Sequence, residues 1–322
     1  MAKAGWNTLL HIGDQVSLGT AVTATNVLGL SNDIHMGPTA PEIVTPGLVR
    51  DGTSVRQKGY IQPGKISPAY TGAQTPLTAS ALQWLLANLT SNVTDEAAGT
   101  NVACVPYTSA TPVVFYTILK YMEATGGGTE VEDCIINKIG IDCPADGMAT
   151  LSFDFMGTEE RLETAAAGAS VPITGVGILT KDATVTWDGD ACNQIAMSFE
   201  FTNNAIFDHQ QAQLPVGIVL GELGLSGSLT VEWDEALVNA IDTDIRKGYD
   251  VVNANEWDLS VTWGSTGASG YVNFVCAVYV SGQPTQTETN GYQTLTIPWT
   301  MANGTVTPIF TTAAAVPFLK AS

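Results

Sequence analysis

Apolar and polar residues alternate along most of this chain, and the pattern changes to a helical period in two places. The first change comes within residues 55–93, after two predicted strands. There, apolar side chains recur every three or four residues at Leu82, Leu85, Leu86 and Leu89. This spacing predicts an amphipathic helix of about two turns, suited to lying on a β-sandwich. Ser80 and Gln83, three residues apart, predict a capping box at its start.

The second helical pattern lies in residues 225–248 and also follows a strand. Alternation predicts the buried face of the strand, and three- and four-residue spacing predicts the buried stripe of the helix. The two sets are Leu225, Leu229, Val231 and Trp233, then Leu237, Val238, Ile241 and Ile245. Acidic residues at the predicted start, Arg246 and Lys247 at the end and Gly248 beyond it suit the helix dipole and a C-cap.

The remaining alternation predicts β-strands connected by turns and irregular segments. The predicted strands cover residues 113–122, 135–141, 151–155, 183–187, 195–201, 257–263, 271–280 and 295–299. The first has apolar residues on both faces, which is typical of a strand covered on both sides. Asp188 to Asp190 predicts a hairpin turn between two of them. Residues 1–57, 158–172 and 203–217 are interpreted as an arm with a long loop, a linker and an irregular stretch.

The order strand, helix, strand, strand pair occurs once in each half. Equivalent positions are separated by 155 residues for Leu82 and Leu237, and by 144 for both Phe115 and Leu259, and Leu151 and Leu295. Such steady offsets favour an internal duplication. We therefore expect a mainly β protein with two tandem β-sandwich or barrel domains, residues 1–168 and 169–322, each with one flanking helix.

Composition restricts the class of protein. The 322 residues are 45% hydrophobic and 13% charged, which is too apolar for a disordered chain, and no apolar run approaches the ~20 residues of a membrane span. The N-terminus lacks the apolar core of a secretory signal, so a soluble protein made in a cytoplasm is expected. The net charge of −19, divided at Gly168 as −8 and −11, argues against binding nucleic acid through phosphate neutralisation.

Candidate chemistry is sparse, and no catalytic, cofactor-binding or metal site is predicted. The five cysteines are interpreted as buried thiols in a reducing compartment, with Cys134 and Cys143 possible neighbours across a hairpin. His209 and the acidic group Glu130, Glu132 and Asp133 are interpreted as solvated. Asp188 and Asp190 leave a calcium site open as an alternative to a simple turn. Neither a nucleophile elbow nor a phosphate-binding loop occurs.

Three stretches resemble the tail tube (major tail) proteins of long-tailed bacteriophages. They are GDQVSLGTAVTAT near the N-terminus, GYIQPGKISPAYTGAQTPLTASALQWLLANLTS, and YTILKYMEATGGGTEVEDCIINKIGIDCPADGMATLSFDFMGTEER. The resemblance covers most of the chain through strand, turn and helix patterns. It implies a non-enzymatic virion subunit without cofactors, which self-assembles into stacked rings around a channel for phage DNA.

The resemblance also implies partners and leaves alternatives open. Expected partners are further copies of the chain, the tape measure, the tail terminator and the distal tail protein, with assembly in the host cytoplasm. Two tube domains in each chain would give three copies per ring, whereas one tube domain with a decorative second domain would give six. Residues 31–57 and 204–219 are the candidate contacts between rings, and an acidic channel wall would let DNA slide. The rival hypothesis is a β-sandwich binding module that recognises a receptor or decorates a capsid, and a hydrolase is a third.

Overall fold

The structure is a computed structural model. It describes residues 9–15, 17–32, 34, 36, 39–40, 43–44, 62–89, 101–104, 115–122, 127–163, 171–173, 175–239, 256–264, 270–289, 292–302 and 309–313. The protein is mainly β, as the alternation predicts, with large antiparallel sheets.

The described strands and helices follow one another along the whole chain. The strands are β1 (Leu9–Gln15), β2 (Asn26–Gly29), β3 (Ile43–Val44), β4 (Gln62–Pro63), β5 (Ala69–Pro76), β6 (Asn101–Cys104), β7 (Phe115–Met122), β8 (Gly127–Cys143), β9 (Thr150–Met156), β10 (Glu159–Glu163), β11 (Val171–Pro172), β12 (Ala183–Trp187), β13 (Asp190–Cys192), β14 (Gln194–Thr202), β15 (Ile206–Asp208), β16 (Gly217–Val219), β17 (Gly224–Glu232), β18 (Trp257–Trp263), β19 (Tyr271–Val280), β20 (Thr285–Thr289), β21 (Tyr292–Met301) and β22 (Ile309–Ala313). Helix α1 is Ala79–Leu89, Thr180–Asp182 forms a 3₁₀ turn, and residues 235–239 are helical (α2).

Eighteen of the described strands form three connected sheets, while β3 with β4 and β15 with β16 form two separate two-stranded sheets. Sheet 1 has the order β11, β2, β1, β7, β8, β10, in which β11 is parallel to β2 and the other pairs are antiparallel. Sheet 2 has the antiparallel order β5, β9, β8, β14, β17, β21, β20. Sheet 3 has the order β13, β12, β18, β19, β22, β6. Sheet 2 therefore unites strands from both halves of the chain.

One long strand, β8, belongs to two sheets because a β-bulge bends it. Tyr116 on β7 pairs with Cys134, but Ile118 pairs with Val131, so β8 holds an extra residue here. Asp133, within the bulge, has φ of 51°, a left-handed conformation that Asp tolerates better than most residues. Before the bulge β8 lies in sheet 1, and after it β8 lies between β9 and β14 in sheet 2. A bulge that increases local bending explains this change of sheet.

Aromatic side chains fill the space between sheets 2 and 3. Phe199 on β14 lies 5.0 Å from Phe274 on β19 and 5.7 Å from Trp299 on β21, measured between ring centroids. All three are at most 3% exposed. The indole ring of Trp299 also packs against Gly227, where an added Cβ atom would come within 2.4 Å of that ring. Alternation on β14, β17 and β21 therefore places one apolar face of sheet 2 in this core, as predicted.

Helix α1 packs with its predicted stripe against β8, β22 and β6. Leu82, Leu85 and Leu86 are fully buried, which confirms that stripe; the side chain of Leu89 lies outside the described residues. The predicted capping box is wrong. The hydroxyl of Thr78 accepts the N–H of Ala81 at 3.1 Å, whereas the Ser80 hydroxyl is buried without a partner in the described part of the chain.

The second helix begins as predicted but is described only in its first residues. The Asp234 carboxylate accepts the N–H groups of Ala236 and Leu237 at 2.7 and 3.2 Å, so it is the N-cap. Leu237 and Val238 pack against the core. Ile241, Ile245 and the predicted C-terminal end lie outside the described residues.

Three segments predicted as irregular are partly ordered. β1 and β2 fall within the predicted arm and loop, where Ile34 and Met36 are also buried. β10 falls within the predicted linker and β15 within the stretch 203–217, and β16 begins at the last residue of that stretch. β1 was not predicted because it lies between β2 and β7 and has four consecutive buried residues, so its sequence does not alternate.

Two predicted pairings are wrong. The turn at Asp188 and Gly189 connects β12 to the three-residue β13, whereas β14 pairs with β8 and β17. Cys134 and Cys143 do not face each other across a hairpin, because both lie on β8. The proposed domain boundary near Ala169 falls within residues 164–170, outside the described part of the chain.

Candidate functional site

The outward face of sheet 2 is broad, polar and rich in hydroxyl groups. Its residues alternate with the buried ones and match across neighbouring strands, as in the row Thr150, Asp142, Ser198, Ser228 and Pro298. We call it the hydroxyl face, and its hydroxyl-bearing members on the central strands are Thr150, Ser152, Ser198, Thr202, Ser226, Ser228, Thr230, Thr294, Thr296 and Thr300. All ten are half-buried or exposed.

Many hydroxyl groups on this face form hydrogen bonds to each other or to strand carbonyls. Ser198 and Ser228 approach to 2.9 Å between their Oγ atoms, and Thr230 and Thr296 to 3.0 Å between their Oγ1 atoms. Thr300 donates to the carbonyl of Leu225 at 3.3 Å. Because these short side chains satisfy part of their hydrogen-bonding capacity locally, the face is polar without long projecting donors.

The hydroxyl face is acidic overall. Its charged members on the central strands are Lys138, Asp142, Asp154, Glu200 and Glu232, one base and four acids, for a net charge of −3. Lys138 Nζ lies 2.7 Å from a carboxylate oxygen of Glu200. The single lysine of this group is therefore neutralised by an ion pair.

The two edges of sheet 2 differ. Along β5, Asn32 donates its side-chain amide to the carbonyl of Gly72 at 2.6 Å and accepts the N–H of Gln74 at 2.8 Å, and Ser31 N–H binds the Gln74 carbonyl. These contacts occupy backbone groups that an incoming strand would use. β20 pairs with β21 on one side and has no strand on its other side among the described residues. Its described side chains are exposed.

The hairpin of β15 and β16 carries aliphatic side chains in solvent. Ile206 pairs with Val219, and these two are 65% and 45% exposed, while Val216 in the connecting loop is 58% exposed. On the opposite face, Phe207 and Ile218 pack against the small core of Ile135, Met156 and Leu220. The outward side of this hairpin is therefore an apolar patch on a strongly acidic protein.

The acidic group on β8 is buried, so the prediction that it is solvated is wrong. Glu130, Glu132 and Asp133 are 5%, 5% and 6% exposed. Arg161 on β10 reaches both glutamates, with guanidinium-to-carboxylate distances of 2.5 and 2.6 Å. Burial raises the pKa of Glu132, and the positive charge of Arg161 opposes that shift. Sequence alone missed the cluster because its partner Arg161 lies about thirty residues away, in the supposed linker.

Asp133 organises the turn that follows β1. Its carboxylate accepts the Gln15 side-chain amide at 3.0 Å, the Gly19 N–H at 2.9 Å and the Thr158 hydroxyl at 2.7 Å. Beside it, the Tyr70 hydroxyl donates to Glu160 at 2.7 Å, and burial together with that carboxylate raises the pKa of Tyr70 well above its usual range. These groups are satisfied within the chain and have structural roles.

The remaining candidate residues are placed as follows. Cys134, Cys143 and Cys276 are buried free thiols, as predicted, and burial raises the pKa of both Cys143 and Cys276 to about 12. His209 is 5% exposed and lies 3.1 Å from the Ser67 hydroxyl, so its predicted solvation is wrong. Among the described residues, no cluster of His, Cys, Asp or Glu has the arrangement of a metal site, and no helix is long and apolar enough to cross a membrane.

Comparison with known proteins identifies the family. The model of the phage tail tube protein family matches residues 5–301, nearly the whole chain, and the chain belongs to this family. No match was found among curated proteins. Family membership confirms the resemblance and implies a structural role in the virion tail, with self-assembly and contacts to other tail proteins. It also agrees with a non-enzymatic role.

Proposed function

We propose that copies of this chain assemble into stacked rings that form the hollow tail tube, and that the hydroxyl face of sheet 2 lines the channel through which phage DNA passes. The single observation that carries this assignment is the wide polar face with a net charge of −3 and an ion-paired lysine. It is the feature of the described structure best suited to a wall beside DNA.

The physical reason is that DNA must move along the wall without being held. Lys and Arg contacts to several phosphates give non-specific dissociation constants of roughly 10⁻⁴ to 10⁻⁶ M, and such contacts repeated along a tube would arrest the duplex. Short hydroxyl side chains and surplus carboxylates offer the duplex little attraction. The wall therefore serves as a conduit, with no specific nucleic-acid binding.

The pairing pattern supports a duplicated tube domain, residues 1–168 and 169–322. In the first half, β1, β7, β8 and β10 pair in sequence, and in the second half β12, β18, β19 and β22 do the same. Likewise β5, β9 and β8 correspond to β17, β21 and β20. A helix follows β5 and another follows β17. On this basis three chains would supply six domains per ring, and a single tube domain per chain would require six copies.

Contacts between copies follow from the same correspondence. Within one chain, β8 is the last strand that the first half of the chain contributes to sheet 2. It pairs there with β14, which belongs to the second half. β20 is the counterpart of the part of β8 that lies in sheet 2, as β19 is of the part in sheet 1, and the outer edge of β20 would pair with a strand of the next copy in the ring. The exposed aliphatic side of the β15–β16 hairpin, within the segment 204–219, would be covered between rings together with residues 31–57. The tape measure, tail terminator and distal tail protein would bind the ends or interior of the tube.

Negative-stain electron microscopy of the purified protein tests the proposal. Hollow rings or tubes of uniform bore are the expected result, and averaged end views would distinguish three copies from six. Discrete globules at high protein concentration would overturn the proposal and favour the rival binding module. A map in which the hydroxyl face points away from the bore would reject the assignment of the wall.

A further inference from the structure

A cleft of about 790 Å³ lies at one end of sheet 2, where it borders the hydroxyl face and shares Glu232 with it. It is formed by the β12–β13 turn, the end of β17 and the start of α2. Three tryptophans line it, Trp187, Trp233 and Trp257, and the rings of Trp187 and Trp257 are 5.9 Å apart at an interplanar angle of 43°. The volume and aromatic lining are those of a binding site for a small ligand or a peptide side chain.

The rim of the cleft is acidic. Asp188, Asp190, Glu232 and Asp234 contribute four negative charges, and none of the described residues that line the cleft is basic. None of the four carboxylates has an ion-pair partner within the described part of the chain. Carboxylates beside tryptophan faces favour a cation with an apolar stem, which can combine ion pairing with a cation–π contact.

A second observation, independent of the carboxylates, also indicates a ligand. Trp187 is 1% exposed and lines the cleft, yet its indole N–H has no acceptor among the described residues. A buried donor without a partner costs free energy unless a ligand satisfies it. A backbone carbonyl from a docked peptide segment would do so.

The chain itself contains one segment with the required charge. Four of its twelve Lys and Arg residues, Arg50, Arg56, Lys58 and Lys65, fall within residues 50–65, where the only acid is Asp51, so this segment has a net charge of +3. The rest of the chain then carries −22. In a protein this acidic, electrostatic attraction between copies is favoured where such a segment meets a negative site.

The cleft and the end of this segment lie at opposite ends of β14. Asn193 and Val231, at the Gln194 end of β14, line the cleft. Lys65 precedes Ile66, whose N–H binds the carbonyl of Gln213 in the hairpin that follows the Thr202 end of the strand. The nine residues of β14 separate these ends by roughly 27 Å. Copies stacked head to tail would bring the basic segment of one against the cleft of the next, which is a heterologous contact that extends a filament.

We propose that this cleft binds the basic segment 50–65 of a second copy, so that a Lys or Arg side chain packs against the half-buried rings of Trp233 and Trp257 and meets the acidic rim. The inference rests on the proposed function, because it assigns one contact between stacked rings. It further implies that stacking weakens with salt, since the attraction is between partly exposed charges.

A charge exchange in the full-length protein tests the contact. Asp190→Lys with Glu232→Lys reverses two rim charges, and Arg56→Glu with Lys58→Glu reverses two charges of the segment. Either pair should reduce sedimentable tube by about tenfold or more while rings remain visible, and combining all four should restore most of it. Asp182→Lys, an exposed acid outside the cleft, is the control and should leave tubes unchanged. Normal tubes from either reversed pair, or failure of the combination to recover, would overturn the inference.

A binding experiment separates this inference from the proposed function. A synthetic peptide of residues 50–65 is titrated into the wild-type protein and into the Asp190→Lys, Glu232→Lys variant, with tryptophan fluorescence as the readout. We expect about tenfold weaker binding to the variant, and weaker binding to the wild type as salt is raised. Equal binding to both proteins would reject the cleft as the site, even if tubes form. Peptide binding without any rings or tubes would instead contradict the proposed function.

Discussion

The ammonium group of Lys138 lies 2.7 Å from the carboxylate of Glu200, and the two residues come from opposite halves of the chain. Lys138 is on β8 and Glu200 on β14, the two strands that connect the halves within sheet 2. Their side chains are 37% and 47% exposed, so the pair contributes little to stability, on the order of 0 to 1 kcal/mol. Its main consequence is electrostatic, because it neutralises the lysine on the central strands of the hydroxyl face.

Reversing charges on the hydroxyl face should turn a passive wall into one that holds DNA. Asp142→Lys with Glu200→Lys changes the net charge of the face from −3 to +1 and frees Lys138 from its partner. We expect the variant to retain double-stranded DNA in a gel-shift or co-sedimentation assay, with affinity that falls steeply as salt is raised.

The matched control is Asp182→Lys with Asp258→Lys, which adds the same four units of positive charge at exposed positions outside sheet 2. It should bind DNA no better than the wild type. Equal DNA retention by both variants would show that overall charge, and not the hydroxyl face, determines the interaction.

The stripe of α1 should be essential to the fold. Leu86→Asp buries a carboxylate at a position that is fully buried against the core, and the variant should be insoluble or unfolded. Leu162→Asp makes the same change on β10, where the leucine is 77% exposed, and should remain folded. Circular dichroism and size-exclusion chromatography of the two proteins give the comparison. A folded Leu86→Asp protein would mean that the helix packs elsewhere.

Elements with a clear apolar pattern could be predicted from sequence, including β7 with its two apolar faces, whereas elements without such a pattern or held by distant partners could not. Alternation located β14, β18 and β21 because each has one buried face. Three- and four-residue spacing of leucines located α1, although its residues 79–86 are all buried. β1 lies inside sheet 1 and shows no alternation.

The same limit applies to the candidate site. The burial of Glu130 and Glu132 depends on Arg161, which only the pairing of β8 with β10 brings near. Locating the hydroxyl face required the register of five strands, β9, β8, β14, β17 and β21, which no local pattern contains. The tryptophans of the cleft lie far apart in sequence and meet only in the folded chain.

Close packing at Gly227 should not tolerate a methyl group. A Cβ atom there would lie 2.1 Å from the Ser198 carbonyl oxygen and 2.4 Å from the Trp299 ring, so backbone or indole must move. We expect Gly227→Ala to lower the free energy of unfolding by about 1–3 kcal/mol, measured by urea denaturation. Gly217→Ala on β16, where the new Cβ meets nothing within 4 Å, should change it little. An equal effect of both substitutions would mean that the contact with Trp299 is not tight.

Removing Arg161 should make stability depend more strongly on pH. Arg161→Gln leaves Glu130 and Glu132 buried without their cation, and we expect a loss of about 1–3 kcal/mol at pH 8. Burial already raises the pKa of Glu132 above its ordinary value of 4.5, and losing the arginine raises it further. A carboxyl group with a raised folded-state pKa binds its proton more readily when folded. Stability therefore falls as pH rises from the ordinary value through the folded-state pKa.

Urea denaturation at pH 5 and pH 8 measures this difference. Arg161→Gln should lose more stability between the two pH values than the wild type does, and adding Glu132→Gln should recover part of the loss at pH 8 by removing a buried charge. Lys181→Gln, which removes an exposed base, should leave the pH dependence unchanged. If Arg161→Gln lost stability equally at both pH values, the guanidinium would act through its hydrogen bonds and packing, and the charge of the buried glutamates would not be its main target.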